Sequence, residues 1–103
     1  MRIEKKNTDQ GCKYMVWDNP GTRVIGRAIL KEKPECTLIK DINIQRNLRG
    51  NGLGSKLLKK IFEDFENTKI VANVFEERVN WYQRHGFKTE DSKDQLVKVK
   101  KFT

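Results

Sequence analysis

Histidine occurs once in the 103 residues, at His85, and cysteine only twice, at Cys12 and Cys36. Two widely separated thiols make no disulfide framework or zinc site, and one imidazole does not complete a His/Cys metal centre. No metal is expected. Proline is as scarce, with two residues, and no linker, internal repeat or low-complexity tract divides the chain. Its length fits one domain, residues 1–103, and not two. No apolar run approaches the ~20 residues that span a bilayer. The opening stretch MRIEKKNTDQ has no hydrophobic signal core, so cytoplasmic residence without a membrane anchor is the expectation.

Positive charge, by contrast, is abundant. Lysine and arginine number 22 against 14 acidic residues, giving a net charge of +8 and a pI near 9.7. This balance suits an anionic partner: a nucleotide cofactor, a nucleic acid or an acidic protein. A solubility surface accounts for it equally well.

Hydrophobic periodicity gives the elements. RIEKKN reads as a first, edge strand. CKYMVW (12–17) has strand composition, DNPG (18–21) is a turn signal, and TRVIGRAILKEK (22–33) completes a hairpin, with Gly26 as its expected bulge. CTLIKDINI (36–44) is a strand rich in β-branched residues. From Gly52 the period changes. Leu53, Leu57, Leu58, Ile61, Phe62 and Phe65 form one apolar stripe on a helix over 52–66, ended by Asn67. The lysines on its other face read as a solvated surface. KIVANVF (69–75) is a central strand. EERVNWYQRH (76–85) is a short helix, with His85 as a C-terminal cap and Gly86 as the residue beyond it. FKTE and QLVKVKKF (95–102) form a last strand pair around a DSKD turn. The fold class is therefore α/β, in the order β-β-β-β-α-β-α-β-β. The 36–75 unit demands a parallel right-handed crossover, which makes the sheet mixed and mostly antiparallel.

The stretch RNLRGNGLGSKLL sets Gly50, Gly52 and Gly54 immediately before that first helix. A helix N-terminus presents unpaired N–H groups and partial positive charge, and holds an anion there. Glycines take φ > 0 and let backbone approach a phosphate. Arg46 and Arg49 can add charge-assisted hydrogen bonds. The plainer reading is a turn whose glycines serve packing. A Walker A loop needs G-x-x-x-x-G-K-[ST] and a Rossmann loop G-x-G-x-x-G; neither spacing is present.

RGNGLG (49–54) resembles the R/Q-x-x-G-x-G/A loop of the GNAT N-acetyltransferase superfamily. YQRHGF (82–87) is similar to the Y-x-x-x-G-F that closes that family's later helix. The two occur in order, separated by a helix and a strand, and the resemblance covers roughly residues 36 to 90. It implies an acetyl-CoA-dependent transferase. The backbone of Arg49, Gly50, Asn51, Gly52, Leu53, Gly54 and Ser55 would hold the CoA pyrophosphate. Ile42 and Ile44 would pair with the pantetheine arm. Tyr82 matches the tyrosine that protonates the leaving thiolate, with a core aromatic beside Trp81 as the alternative, and Arg84 a basic position near the phosphates. Such chemistry needs a polarised thioester, a neutral amine beside it and a proton for the sulfur.

The chain also departs from that pattern. No room exists between RIEKKN and CKYMVW for the two helices that commonly build the acceptor side. The acceptor site is then open, or is completed by another subunit or by the substrate, which brings a homodimer into view. The family's N-x-x-A falls on Phe75 and Arg78, leaving Asn73 or Asn80 to stand in for the asparagine. Glu35 and Asp41, near the strand before the loop, are the candidate general bases, each with an ordinary turn or surface role as the alternative. Cys36 reads as a buried strand residue. The expected activity is acetyl transfer to a primary amine: a protein lysine or N-terminus, an aminoacyl group or a small amine. A basic protein favours an amine on an acidic macromolecule. The rivals are a non-catalytic acyl-CoA-binding regulatory module and a basic nucleic-acid-binding protein.

Overall fold

In the computed structural model the chain runs through strands β1 (Arg2–Thr8), β2 (Gly11–Trp17), β3 (Val24–Glu32) and β4 (Thr37–Ile44). It continues through helix α1 (Leu53–Asp64), β5 (Lys69–Phe75), helix α2 (Val79–Arg84), β6 (Lys88–Lys93) and β7 (Leu96–Phe102). The structure describes residues 1–93 and 95–103. The strands make one seven-stranded sheet in the order β1-β2-β3-β4-β5-β7-β6. The β4–β5 pair is parallel and every other pair antiparallel. Element order and mixed sheet are those the periodicity predicts.

Asp9 and Gln10 alone join β1 to β2, whose pairing begins at Thr8↔Gly11. Both later crossovers, β4–α1–β5 and β5–α2–β6, step in the same direction across the sheet. Right-handedness therefore puts both helices on one face. Toward them point Cys12, Tyr14 and Val16 of β2, Ala28 and Leu30 of β3, and Ile70, Ala72 and Val74 of β5, packed with Leu57, Leu58 and Ile61 of α1 in a single core. The amphipathic stripe of α1 is this contact. The opposite sheet face carries no helix among the described residues.

A polar pair links the core to the end of α1. Tyr14 is fully buried, and its hydroxyl donates to Asp64 at 2.7 Å, while Lys60 holds the same carboxylate at 3.1 Å. Burial, reinforced by the Asp64 charge, pushes the ionisation of Tyr14 far above its usual range. Burial alone would push Asp64 up too, but the hydrogen bonds from Tyr14 and Lys60 prevail and hold its carboxyl below the usual value.

Four local expectations shift. The hairpin irregularity falls beside Gly26 and not on it. Val16 pairs with Gly26 and Trp17 with Val24, which leaves Ile25 as the extra residue. Gly26 is small because the Ile44 side chain packs over it. The 76–85 helix begins as a 3-10 turn over Glu76–Arg78, with no side-chain cap at its start, and is α-helical only over Val79–Arg84. The last hairpin is tighter than a DSKD turn: Lys93 already pairs with Leu96, so residues 91–93 extend β6, and Asp94 lies outside the described residues. Cys36 precedes β4 and is half-buried. Asn67 (φ 58°) and Gly86 (φ 93°) stop the two helices in the left-handed region, as expected.

Candidate active site

The cleft originates in a single extra residue. Leu30 pairs with Ile39 and Ile29 with Asp41, so Lys40 bulges from β4. A bulge bends its strand and twists it away from its neighbour. Parallel pairing with β5 is confined to Thr37↔Ile70, Leu38↔Val71 and Ile39↔Ala72. Beyond it the strands part, and β4 runs on to Ile44 with no β5 partner.

Two adjoining hollows occupy the gap. The larger, about 650 Å³, lies on the helix side between the glycine loop and α2, lined by Gly50, Gly52, Gly54, Ser55, Trp81 and Arg84 among others. The smaller, about 300 Å³, lies at the strand separation, where Lys40, Asp41, Asn73 and Phe75 meet Val74 and Tyr82. Ile42, Asn43, Arg49 and Arg78 line both. Tyr82 and Val74 belong to the core, whereas Asn73 and Phe75 alternate onto the helix-free face. The opening therefore passes through the sheet.

The three loop glycines have different reasons. Gly50 (φ 86°) and Gly52 (φ 79°) occupy left-handed backbone, with open space where a Cβ would stand. Gly54 is helical, and its missing Cβ makes room for the Trp81 ring, which would lie 3.0 Å from it. Gly52 is the N-cap of α1 and supplies no side-chain bond, and the first helical bond runs from the Lys56 N–H to the Gly52 carbonyl. The amides of Leu53, Gly54 and Ser55 have no intrahelical acceptor and form an anion-binding nest. Arg49 braces this turn: its Nε donates to the Ile44 carbonyl and its Nη2 to Asn43 Oδ1, both at 2.8 Å. Asn51 donates from its amide to the Leu48 carbonyl at 3.1 Å and lines neither hollow.

Across the larger hollow, Ser55 Oγ lies 2.7 Å from His85 Nε2, and His85 Nδ1 lies 2.7 Å from the Trp81 carbonyl. A carbonyl only accepts, so Nδ1 carries a proton, and Nε2 is left to share the second hydrogen bond with the Ser55 hydroxyl. His85 is the C-cap residue of α2, as its sequence position predicts, and it also fastens that end to the start of α1. No spacing rule connects two residues so far apart in sequence, so this contact was not legible beforehand.

Tyr82 is 3% exposed, set edge-on between Trp81 and Phe87. Burial pushes its ionisation up to about 12; the Arg78 charge opposes the shift and Asp41 adds to it. The phenol is neutral throughout the physiological range and is available as a donor. Asp41 faces the smaller hollow from the helix-free side and is paired with Arg27 at 3.1 Å. Glu35 is exposed in the turn between β3 and β4 and lines neither hollow. Ile42, Ile44, Leu53 and Arg84 line the larger hollow. Asn73 lines the smaller one, and Asn80 neither. Sequence reasoning did not single out Asn43, Leu48 or Lys40. Trp81 was visible only as a neighbour of the tyrosine, and Arg78 only as the residue in place of the family's alanine. Among the described residues no group of three or more His, Cys, Asp or Glu side chains is placed to hold a metal.

Residues 10–89 match the model of the acetyltransferase (GNAT) domain. No curated protein matches the chain. Among solved structures, an IAA acetyltransferase from Bacillus cereus superposes with a TM-score of 0.78 at 17% identity, over 96% of this chain and 97% of the other. A GNAT family acetyltransferase from Elizabethkingia anophelis, solved with acetyl-CoA bound, gives 0.77 at 19% identity, over 91% and 77%. The PaiA N-acetyltransferase from Thermoplasma acidophilum, in complex with coenzyme A, gives 0.77 at 18%, over 88% and 60%. The split β4–β5 pair, the glycine loop at the head of α1 and the family match over most of the chain lead to one conclusion: this protein belongs to the GNAT acetyltransferase family.

Proposed function

We propose that the protein is an N-acetyltransferase that moves an acetyl group from acetyl-CoA to a primary amine by direct transfer. The observation that carries this reading is the opening through the sheet. An anion nest stands on one side of it, Tyr82 lies at the strand separation, and open access remains on the other side. The amides of Gly50 to Ser55 hold the pyrophosphate, with Arg78 and Arg84 adding charge. The unpaired run of β4 past Ile39, including Ile42 and Ile44, takes the pantetheine arm as a strand takes a neighbour.

The acceptor nitrogen attacks the thioester carbonyl carbon, the carbonyl electrons move onto oxygen, and their return expels the sulfur. Tyr82 donates a hydrogen bond to that sulfur. With its ionisation near 12 the phenol is a weaker acid than a thiol, whose reference pKa is about 8.5. Its main contribution is therefore stabilising the developing thiolate, with full protonation completed as CoA leaves. Asp41, the described carboxylate at the smaller hollow, takes the proton lost by the amine, directly or through water. Glu35 is too far from the cleft to share this role and has no part in the proposal.

Calorimetric titration with acetyl-CoA tests the first half, with Gly52→Glu as the control that places a carboxylate and a Cβ in the nest. Saturable binding lost in the variant supports the reading, and no binding by the folded wild type overturns it. The net charge favours an acceptor amine on an acidic macromolecule, whose acetylation should weaken steeply with salt. One feature favours a second reading, a non-catalytic acyl-CoA-binding regulator: Phe75 and Arg78 stand where the family's asparagine and alanine would be. A protein that binds acetyl-CoA yet acetylates no amine, with Tyr82→Phe silent in every assay, is that regulator.

A further inference from the structure

The helix-free face of the sheet is neither polar nor bare of structure. Its apolar residues include Met15, Ile29, Leu38, Phe75, Leu96 and Phe102, the last three 52%, 38% and 69% exposed. Interleaved with them are Lys13, Lys31, Lys69, Lys98 and Lys100. Val71 is only 4% exposed although it lies outside the core cluster, since the surrounding side chains cover it. A sheet face of this composition is what another layer normally covers.

Three of the lysines reveal what this face accepts. The ammonium groups of Lys69, Lys98 and Lys100 converge on one carboxylate oxygen, Glu90 Oε2, at 4.0, 3.8 and 3.6 Å. Among the described residues one negative charge answers three positive ones, so this cluster carries an excess of positive charge. Lys13 and Lys31 continue the positive field across β2 and β3, and among the described residues neither has a carboxylate partner.

From this juxtaposition we infer that the helix-free face docks an acidic, amphipathic segment of a partner protein, whose apolar side covers Leu38, Phe75 and Leu96 while its carboxylates reach the lysines. A second copy of this chain would set positive against positive and is opposed by charge. A polynucleotide fits less well. The cations here are mostly lysines and not forked arginines, and the intervening residues are mostly aliphatic. Phe75 and Phe102 stand at opposite ends of the β5–β7 pair, about 20 Å apart at strand spacing, too far for one stacking platform. Because Asn73, Phe75 and Lys40 also line the smaller hollow, a segment docked here runs past the opening in the sheet and brings an amine of the same chain to it. Only that last step rests on the acetyl-transfer reading.

The two tryptophans separate the two ideas. Trp17 lies on the helix-free face, its indole beside Glu4 at 3.3 Å, whereas Trp81 lines the larger hollow on the helix side. The probe is a synthetic amphipathic helix of leucine and glutamate, titrated into 15N-labelled full-length protein. The expected result is shifts at the Trp17 indole and the β5 and β7 amides, with Trp81 unmoved. Exchanging glutamate for lysine in the peptide should abolish binding. The combined variant Lys31→Glu, Lys69→Glu, Lys100→Glu should weaken it roughly tenfold or more. The milder glutamine triple, checked for an intact spectrum, should weaken it in the same direction. A parallel titration with acetyl-CoA should move Trp81 and spare Trp17, so loss of that response overturns the transferase reading alone. The docking inference is overturned by an unmoved β5–β7 face, by tighter binding of a single-stranded oligonucleotide or of phosphatidylserine vesicles, or by self-association through this face.

Discussion

Ser55 and His85, thirty residues apart in sequence, meet at 2.7 Å across the cleft. Ser55 is in the first turn of α1 and His85 caps α2, so this one bond sets the distance between the anion nest and the helix that carries Tyr82. His85 is itself fixed by the Trp81 carbonyl. Removing either member should loosen the nest. Ser55→Ala and His85→Ala should each weaken acetyl-CoA binding by about fivefold, equal to roughly 1 kcal/mol for one hydrogen bond. The double variant should cost no more than either single one. Calorimetry on the three variants checks the coupling, and additive losses would show that the two side chains act separately.

Tyr82 makes a prediction about pH. Burial raises its ionisation to about 12, so its neutral, donating form persists well above neutrality. The rate of acetyl transfer should show no decline attributable to this phenol below about pH 11. Tyr82→Phe should lower kcat by about a hundredfold and leave the acetyl-CoA dissociation constant unchanged. Steady-state rates across pH, measured with the wild type and the variant, decide both points.

The loop glycines predict opposite outcomes for the same substitution. Gly52→Ala meets no steric contact but must hold φ near 79°, and should cost about 1–2 kcal/mol of stability. Gly54→Ala gains about 1 kcal/mol of helix propensity but presses on Trp81 at 3.0 Å. It should come out close to neutral in urea unfolding while shifting the Trp81 fluorescence. Equal destabilisation by the two would mean that the Trp81 contact at Gly54 costs as much as the backbone angle at Gly52.

Asp64 governs acid stability. Its folded-state carboxyl ionises below the usual 3.8 because the bonds from Tyr14 and Lys60 outweigh burial. Its contribution is therefore complete above that value and lost as the pH falls through the folded one. Asp64→Asn should destabilise the protein most near neutrality, and the gap to the wild type should close as the pH drops below about 4. Thermal unfolding across that range measures it.

Reading the sequence before the structure succeeded where the cue was local and failed where it was not. The stripe from Leu53 to Phe65 placed α1 because burial on one helical face repeats at a fixed period, and the core confirms those residues. Strand composition placed β2 at CKYMVW, and the mostly apolar run KIVANVF placed β5 in the middle of the sheet. The glycine loop was visible because left-handed backbone demands glycine at Gly50 and Gly52. The helix-free face, the Glu90 lysine cluster and the Ser55–His85 bond join residues from distant strands and helices, and sequence spacing carries no sign of them. Glu35 adjoins the strand that leads to the loop, yet it stands at the far end of that strand and the length of β4 separates it from the cleft.

Lys40 has one more consequence. On β4, Ile39 faces the helices, and after the bulge so do Ile42 and Ile44, a change from odd to even numbering. The bulge works as a reading-frame shift in the pattern of inside and outside. A strand without it would have to expose either Ile39 or the pair that follows, and would lie flat against β5. The opening is thus written in the count of residues rather than in their chemistry. Most single replacements at position 40 leave that count intact, whereas deleting the residue would zip the two strands together and erase the passage.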